Sequence, residues 1–176
     1  MWTARNEIEP RWDYLKAYEK GWITNSTKQS QRDTVNITTV ETDKAPAPIG
    51  PYTQGKEVTG GTTIYVAGQI AMDTSGTLVG DGDISKETTQ ALTNAGAILE
   101  EAGASFDDVV KTTVLLADIN DFDAMNAVYT TSFDKSKAAR ATFAVEALPK
   151  GAKVEIEMIA EVSTVRNQTL DLTFIE

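Results

Sequence analysis

Apolar and polar residues alternate with a period of two across 142–147, where Phe143, Val145 and Ala147 interleave with Thr142, Ala144 and Glu146. The alternation returns at 154–158, where Val154, Ile156 and Met158 interleave with Glu155 and Glu157. That period predicts strands, and Pro149 and Gly151 mark the break between them. The segment 140–160 therefore reads as two strands around a turn. Residues 84–102 follow a different rhythm. Ile84, Thr88, Ala91, Leu92, Ala95, Ile98, Leu99 and Ala102 recur every three or four residues, which is the apolar stripe of a helix. Asp83 or Ser85 suits its N-cap and Gly103 its far end. A second helix is predicted over 121–134, capped by Asn120 or Asp121. Phe122, Met125, Tyr129 and Phe133 face inward, and Asn126 sits one step off that stripe. Between the helices, 109–118 is a β-branched run that reads as a buried strand. Upstream, Glu57-Val58 and 63–69 flank Gly60-Gly61 as a hairpin. Gly68 inside the second of these strands predicts a bulge or a close approach to the backbone.

The element order is hairpin, helix, strand, helix, strand, strand. Two helices are too few to cover both faces of such a sheet. The expected fold is α+β, a two-layer arrangement with a mixed sheet and both helices on one face. Residues 114–116 and 156–159 are apolar at both parities, so the bare face is expected to be buried by another subunit. This core occupies 37–162. Residues 1–36 read as an extension in which Trp12, Leu15, Tyr18 and Trp22 recur at helical spacing, with a short amphipathic helix over 10–20 ended by Gly21, then a polar linker. Residues 163–176 read as a tail whose Leu170, Leu172 and Phe174 alternate as an edge strand would.

Composition narrows the chemistry. The chain of 176 residues has no histidine and no cysteine. Histidine triads, thiolate nucleophiles, disulfides and His- or Cys-ligated metals are thereby excluded. Carboxylates, Tyr, Lys, Arg, Ser/Thr, backbone groups and water remain for catalysis. The formal net charge of −10 opposes binding to a phosphate backbone, so no nucleic-acid partner is expected. No apolar run is long enough for a membrane helix. No targeting signal is legible, and a cytoplasmic protein is expected, with a mitochondrial location as the alternative.

Against this acidic background Arg140 stands at a strand start behind the small residues Ala138 and Ala139, and Glu155 falls among apolar neighbours. A fixed cation and a carboxylate near apolar walls make an anion site with a proton-handling partner. The other reading is a solvated strand face. Three prolines and a glycine hold Tyr52 on stiff backbone in 44–54, which suits either a site or the cover of a sheet edge.

The motifs Gly50-Pro-Tyr-Thr-Gln54, Val66-Ala-Gly-Gln-Ile70, Lys111-Thr-Thr-Val114, Asp118-Ile-Asn-Asp-Phe122, Asn126-Ala-Val-Tyr129, Ala139-Arg-Ala-Thr142, Leu148-Pro-Lys150 and Glu155-Ile-Glu157 fall in order. As a set they resemble the RidA family, also called YjgF/YER057c/UK114, over about 38–162. The resemblance implies a chorismate-mutase-like homotrimer with clefts between subunits. It implies hydrolysis of reactive enamines and imines, such as 2-aminoacrylate, 2-iminopropanoate and 2-iminobutanoate, to 2-oxo acids and ammonia, with no cofactor and no metal. By the same correspondence Arg140 grips the substrate carboxylate and Glu155 orients the water and relays protons. Tyr52, Gly68, Asn126 and Thr142 stand at substrate-contacting positions. Two positions depart from many members: Ala67 replaces a serine and Thr142 a cysteine.

If 140–147 and 153–160 paired directly, Glu155 would lie opposite Val145, roughly 17 Å along the strand from Arg140. No small acid spans that gap. Either these strands are not neighbours, or the two groups meet across a subunit boundary. Two further readings compete with the deaminase: a trimer that binds small carboxylates without turnover, and RNA cleavage, against which the charge and the absent histidine weigh.

Overall fold

The computed structural model describes residues 32–165, and the expected helix over 10–20 and the tail beyond Val165 lie outside them. Residues 32–164 form one compact unit. Its strands of five or more residues are β1 (Asn36–Val40), β2 (Gly55–Thr59), β3 (Thr62–Gln69), β4 (Val109–Leu116), β5 (Ala139–Ala144) and β6 (Val154–Val162). Its helices are α1 (Ile84–Glu101) and α2 (Phe122–Phe133). β1 and β2 pair antiparallel, and the main sheet has the order β3-β6-β4-β5. β6 is antiparallel to both its neighbours, while β4 and β5 are parallel. The parallel pair flanks α2, as a strand–helix–strand crossover requires.

Along β4, Val110, Thr112, Val114 and Leu116 are buried, and along β6 so are Val154, Ile156, Met158 and Ala160. Val114 and Leu116 of β4 and the four β6 residues pack with Ala91, Leu92, Ala95 and Leu99 of α1 and Met125, Tyr129 and Phe133 of α2 in one apolar cluster. The mixed sheet with two helices expected from the pattern is therefore present. Asp83 caps α1, accepting from Ser85 N and Lys86 N. Gly103 closes it at φ 76°, a conformation that glycine adopts freely. Asp121 stands at the N-cap of α2 without a capping bond, and its carboxylate instead pairs with Lys153 Nζ at 2.9 Å. Among the described residues no helix is long and apolar enough to cross a membrane.

The structure decides one strand pairing that the sequence reading left open and overturns another. β5 and β6 do not pair with each other, because β4 lies between them. The 145–153 link crosses the end of β4, with Val145 N donating to Leu116 O at 2.9 Å and Ala117 N to Lys153 O at 2.9 Å. Alternation shows that a segment is a strand, and says nothing of which strand lies beside it. Likewise β2 pairs with β1 and not with β3. Gly60 and Gly61, at φ 72° and 86°, make a corner between two sheets. A side chain at Gly61 would stand 2.7 Å from Val162 O, so the neighbouring backbone fills the space a Cβ would need.

One buried group escapes any periodicity. Glu87 is 1% exposed beside the apolar stripe of α1, and its Oε2 accepts from Lys153 N at 2.7 Å. It ties the end of the β5–β6 link to the first turn of the helix.

Candidate active site

Arg140 lies opposite Thr112 in the β4–β5 register. Strand alternation sends its side chain to the helix-covered face, toward α2. There Phe122, Asn126 and Tyr129 stand at i, i+4 and i+7, on one face of the helix. Arg140 Nη1 donates to Asn126 Oδ1 at 2.7 Å. The guanidinium carbon is 4.6 Å from the Tyr129 ring centre, 5.6 Å from Tyr52 and 5.7 Å from Phe122. Three aromatic faces thus surround one cation. Tyr52 reaches the cage because its own segment is clamped. Gln54 Nε2 donates to the carbonyls of Thr42, Ala45 and Pro46, and Ile49 N donates to Tyr52 Oη at 3.3 Å. A Cβ at Gly50 would meet the Tyr52 ring at 3.3 Å and Arg140 Nη2 at 3.5 Å, so the glycine leaves the guanidinium uncovered. Ile49, Gly50, Tyr52, Phe122, Asn126, Arg140 and Thr142 line a cavity of about 260 Å³.

Among the described residues the cation in this cavity has no counter-ion: the ion pairs there are Lys135–Asp107 and Lys153–Asp121, and no acid pairs with Arg140. Burial pulls the Arg140 pKa down, and the nearby Tyr129 and Tyr52 hydroxyls oppose that pull. Arginine starts so high that it remains charged. A half-buried guanidinium with free donors, in a chain of net charge −10, awaits an anion.

Tyr129 lies behind the guanidinium, outside the cavity lining. It is fully buried, its ring stacks on Phe133 at 4.2 Å, and its hydroxyl shares a 2.8 Å hydrogen bond with Thr112. Burial pushes its pKa up to about 12, although the Thr112 hydroxyl and the Arg140 charge act in the other direction. An unfolded tyrosine ionises near ~10. Stability from this group is complete below that value and is lost as pH rises through about 12. Chemical denaturation followed from pH 9 to 12 is expected to show a loss of about 2–3 kcal/mol. Tyr129→Phe should flatten that limb, and an unchanged limb in this variant would assign it elsewhere.

Glu155 and Gly68 sit elsewhere. Val66 pairs with Met158 and Gln69 with Ile156, so Ala67 and Gly68 form a bulge with one extra residue on β3. The Glu155 carboxylate rests on this bulge, and a methyl group on Gly68 would stand 2.8 Å from Glu155 Cδ. Both readings of Gly68 are met together, a bulge and a close approach, and what approaches is Glu155.

Glu155 lies opposite Leu115, and Leu115 lies opposite Phe143. This row is three residues from the Thr112–Arg140 row, so its side chains project from the other face. Within one chain Arg140 and Glu155 are separated by roughly 10 Å along the strands and two strand spacings of about 4.8 Å across them. The structure brings Arg140, Tyr52, Asn126 and Thr142 together around one cavity and Gly68 and Glu155 together on the opposite face. The contributions of Phe122 and Tyr129 were hidden in the sequence, where both read as core. Their spacing from Asn126 was the available signal.

The Endoribonuclease L-PSP family pattern matches residues 42–162. A Capra hircus protein named 2-iminobutanoate/2-iminopropanoate deaminase is 57% identical over 122 residues, covering 69% of this chain and 87% of that one. A Homo sapiens protein of the same name is 50% identical over 121 residues, again covering 69% and 87%. Among solved structures, RidA from the Antarctic bacterium Psychrobacter sp. is 40% identical, with a TM-score of 0.55 over 71% of this chain and 99% of that one. The yjgF gene product of E. coli is 41% identical, with a TM-score of 0.53 over 70% and 98%.

Proposed function

This chain belongs to the Endoribonuclease L-PSP family, that of the RidA and YjgF proteins, and from that premise we propose that it is a deaminase hydrolysing 2-imino acids such as 2-iminobutanoate and 2-iminopropanoate. One observation carries the reading. A half-buried guanidinium stands in an aromatic cage without a counter-ion among the described residues, at a cavity of about 260 Å³, a volume suited to a small carboxylic acid. The relatives whose names specify that reaction are 50–57% identical to this chain.

In the proposed reaction Arg140 holds the substrate carboxylate through its remaining donors. Tyr52 and Phe122 flank the ligand, and Asn126 holds the guanidinium in plane. Water attacks C2 of the imine as the C=N π electrons move to nitrogen. A carboxylate takes the proton from water and returns it to nitrogen. In the resulting carbinolamine the same carboxylate carries the hydroxyl proton to the amino nitrogen, an oxygen lone pair forms the C=O bond as the C–N bond breaks, and ammonia leaves with the 2-oxo acid. The imine carbon is already electrophilic, so positioning supplies much of the rate.

Glu155 is the proposed proton carrier, and its place on the opposite sheet face means that another copy of the chain must provide it. We therefore propose a homotrimer of chorismate-mutase type, with the Arg140 cavity of one copy closed by Gly68 and Glu155 of the next. The bare sheet face supports this reading, since Tyr65 is 76% and Phe143 48% exposed there.

The test is ammonia and 2-oxo acid release from 2-aminoacrylate generated in situ by an amino-acid dehydratase. Release well above the spontaneous rate is expected. Saturable binding of 2-oxobutanoate with no acceleration would replace the deaminase with a carboxylate-binding trimer.

A further inference from the structure

Glu87 is a buried acid that the proposed reaction does not use. It is 1% exposed, and a Cβ at Gly80 would stand 2.6 Å from its Cγ, so the loop before α1 packs directly on this side chain. Its Oε2 accepts from Lys153 N at 2.7 Å. Lys153 is held at two further atoms. Its carbonyl accepts from Ala117 N at 2.9 Å, and its Nζ pairs with Asp121 Oδ2 at 2.9 Å. Two residues on along the chain stands Glu155. Its carboxylate has no hydrogen-bond partner among the described residues and lies against the Gly68 bulge. The start of β6 is supported on one side only. Val154 and Glu155 pair with Leu116 and Leu115 of β4, whereas the β3 register ends at Gln69 opposite Ile156. The backbone therefore sets where the Glu155 side chain points, and the chain enters β6 through Lys153.

We infer that Glu87 is a positioning residue for the proposed hydrolysis, its hold on the Lys153 N–H setting where the Glu155 carboxylate meets the water. This rests on the reading of Glu155 as the proton carrier. A displacement of about 1 Å in a reacting group costs up to about 100-fold in rate. Glu87 and Lys153 do not line the Arg140 cavity, so the effect falls on the chemical step and leaves the grip on the substrate carboxylate as it is. A purely structural tie would behave otherwise. Its loss would lower the unfolding temperature and leave each folded chain as active as before.

Steady-state kinetics of the full chain with 2-aminoacrylate generated in situ, beside calorimetric titration with 2-oxobutanoate, tests this. Glu87→Met, similar in length but without an acceptor, should lower kcat per folded chain about tenfold while 2-oxobutanoate affinity stays within about twofold of wild type. Glu87→Gln, whose amide oxygen still accepts, should keep kcat within about twofold. Glu87→Asp draws the oxygen back by one methylene and should show the same loss in kcat at unchanged affinity, so the test stands even if the Met variant does not fold. The inference is overturned if the Met and Asp variants lower only the unfolding temperature, if kcat and affinity fall together, or if Glu87→Gln falls as far as Glu87→Met. A fully active Glu155→Gln protein would instead remove the proton carrier on which the inference depends.

Discussion

Arg140→Ala is expected to lose at least about 100-fold in kcat/KM for 2-iminobutanoate, with Arg140→Lys close behind. Truncating one partner of a desolvated charge pair costs about 2–5 kcal/mol, and about 1.4 kcal/mol is tenfold. Lysine preserves the charge but not the geometry. The Asn126 bond at 2.7 Å and the three rings hold a flat fork whose other donors stay free. An ammonium is a point charge with a larger hydration shell, and it neither stacks between rings nor pairs a carboxylate in two parallel bonds. The loss should appear in KM and in the affinity for 2-oxobutanoate, while thermal unfolding stays within about 5 °C of wild type. A variant that is folded and fully active would leave the unpaired guanidinium without a role, and with it the deaminase assignment.

Glu155→Gln is expected to lower kcat by about 100-fold or more, since glutamine cannot carry the proton. The more informative result comes from mixing. Arg140 and Glu155 project from opposite faces of one sheet, so under the proposed mechanism each productive cleft draws them from different copies. Trimers assembled at random from equal amounts of Arg140→Ala and Glu155→Gln chains should have about a quarter of their clefts intact, because half the chains keep each group. Activity of the mixture should rise to about a quarter of wild type, far above either variant alone. A mixture no more active than its components would place both groups in one chain's site. The register of the sheet gives them no common ligand there, so the proposed hydrolysis would fail. Sedimentation of the mixture checks that mixed assemblies formed.

How far the sequence reached differs from element to element. The helix over Ile84–Glu101 was legible because its stripe, its Asp83 cap and its Gly103 end all act within a few residues. The same holds for the strand character of β4, β5 and β6. Pairing was not legible, because β4 enters between β5 and β6 from elsewhere in the chain. Glu87 shows the same limit in a side chain. Nothing near it in sequence announces that its partner is the backbone N–H of Lys153, which arrives at the end of a distant link.

The site divides along the same line. Residue types alone excluded histidine and cysteine chemistry, leaving carboxylates, Tyr, Lys, Arg, Ser/Thr, backbone groups and water, and determined that an anion would need a local cation in so acidic a chain. The motifs also singled out Arg140, Tyr52, Asn126, Thr142, Gly68 and Glu155. Only the tertiary structure decided that four of these surround one cavity and that the other two lie across the sheet. The reason is that periodicity places a side chain on one face of its own strand or helix. Which elements share that face, and in what register, is set by long-range pairing that no local pattern encodes.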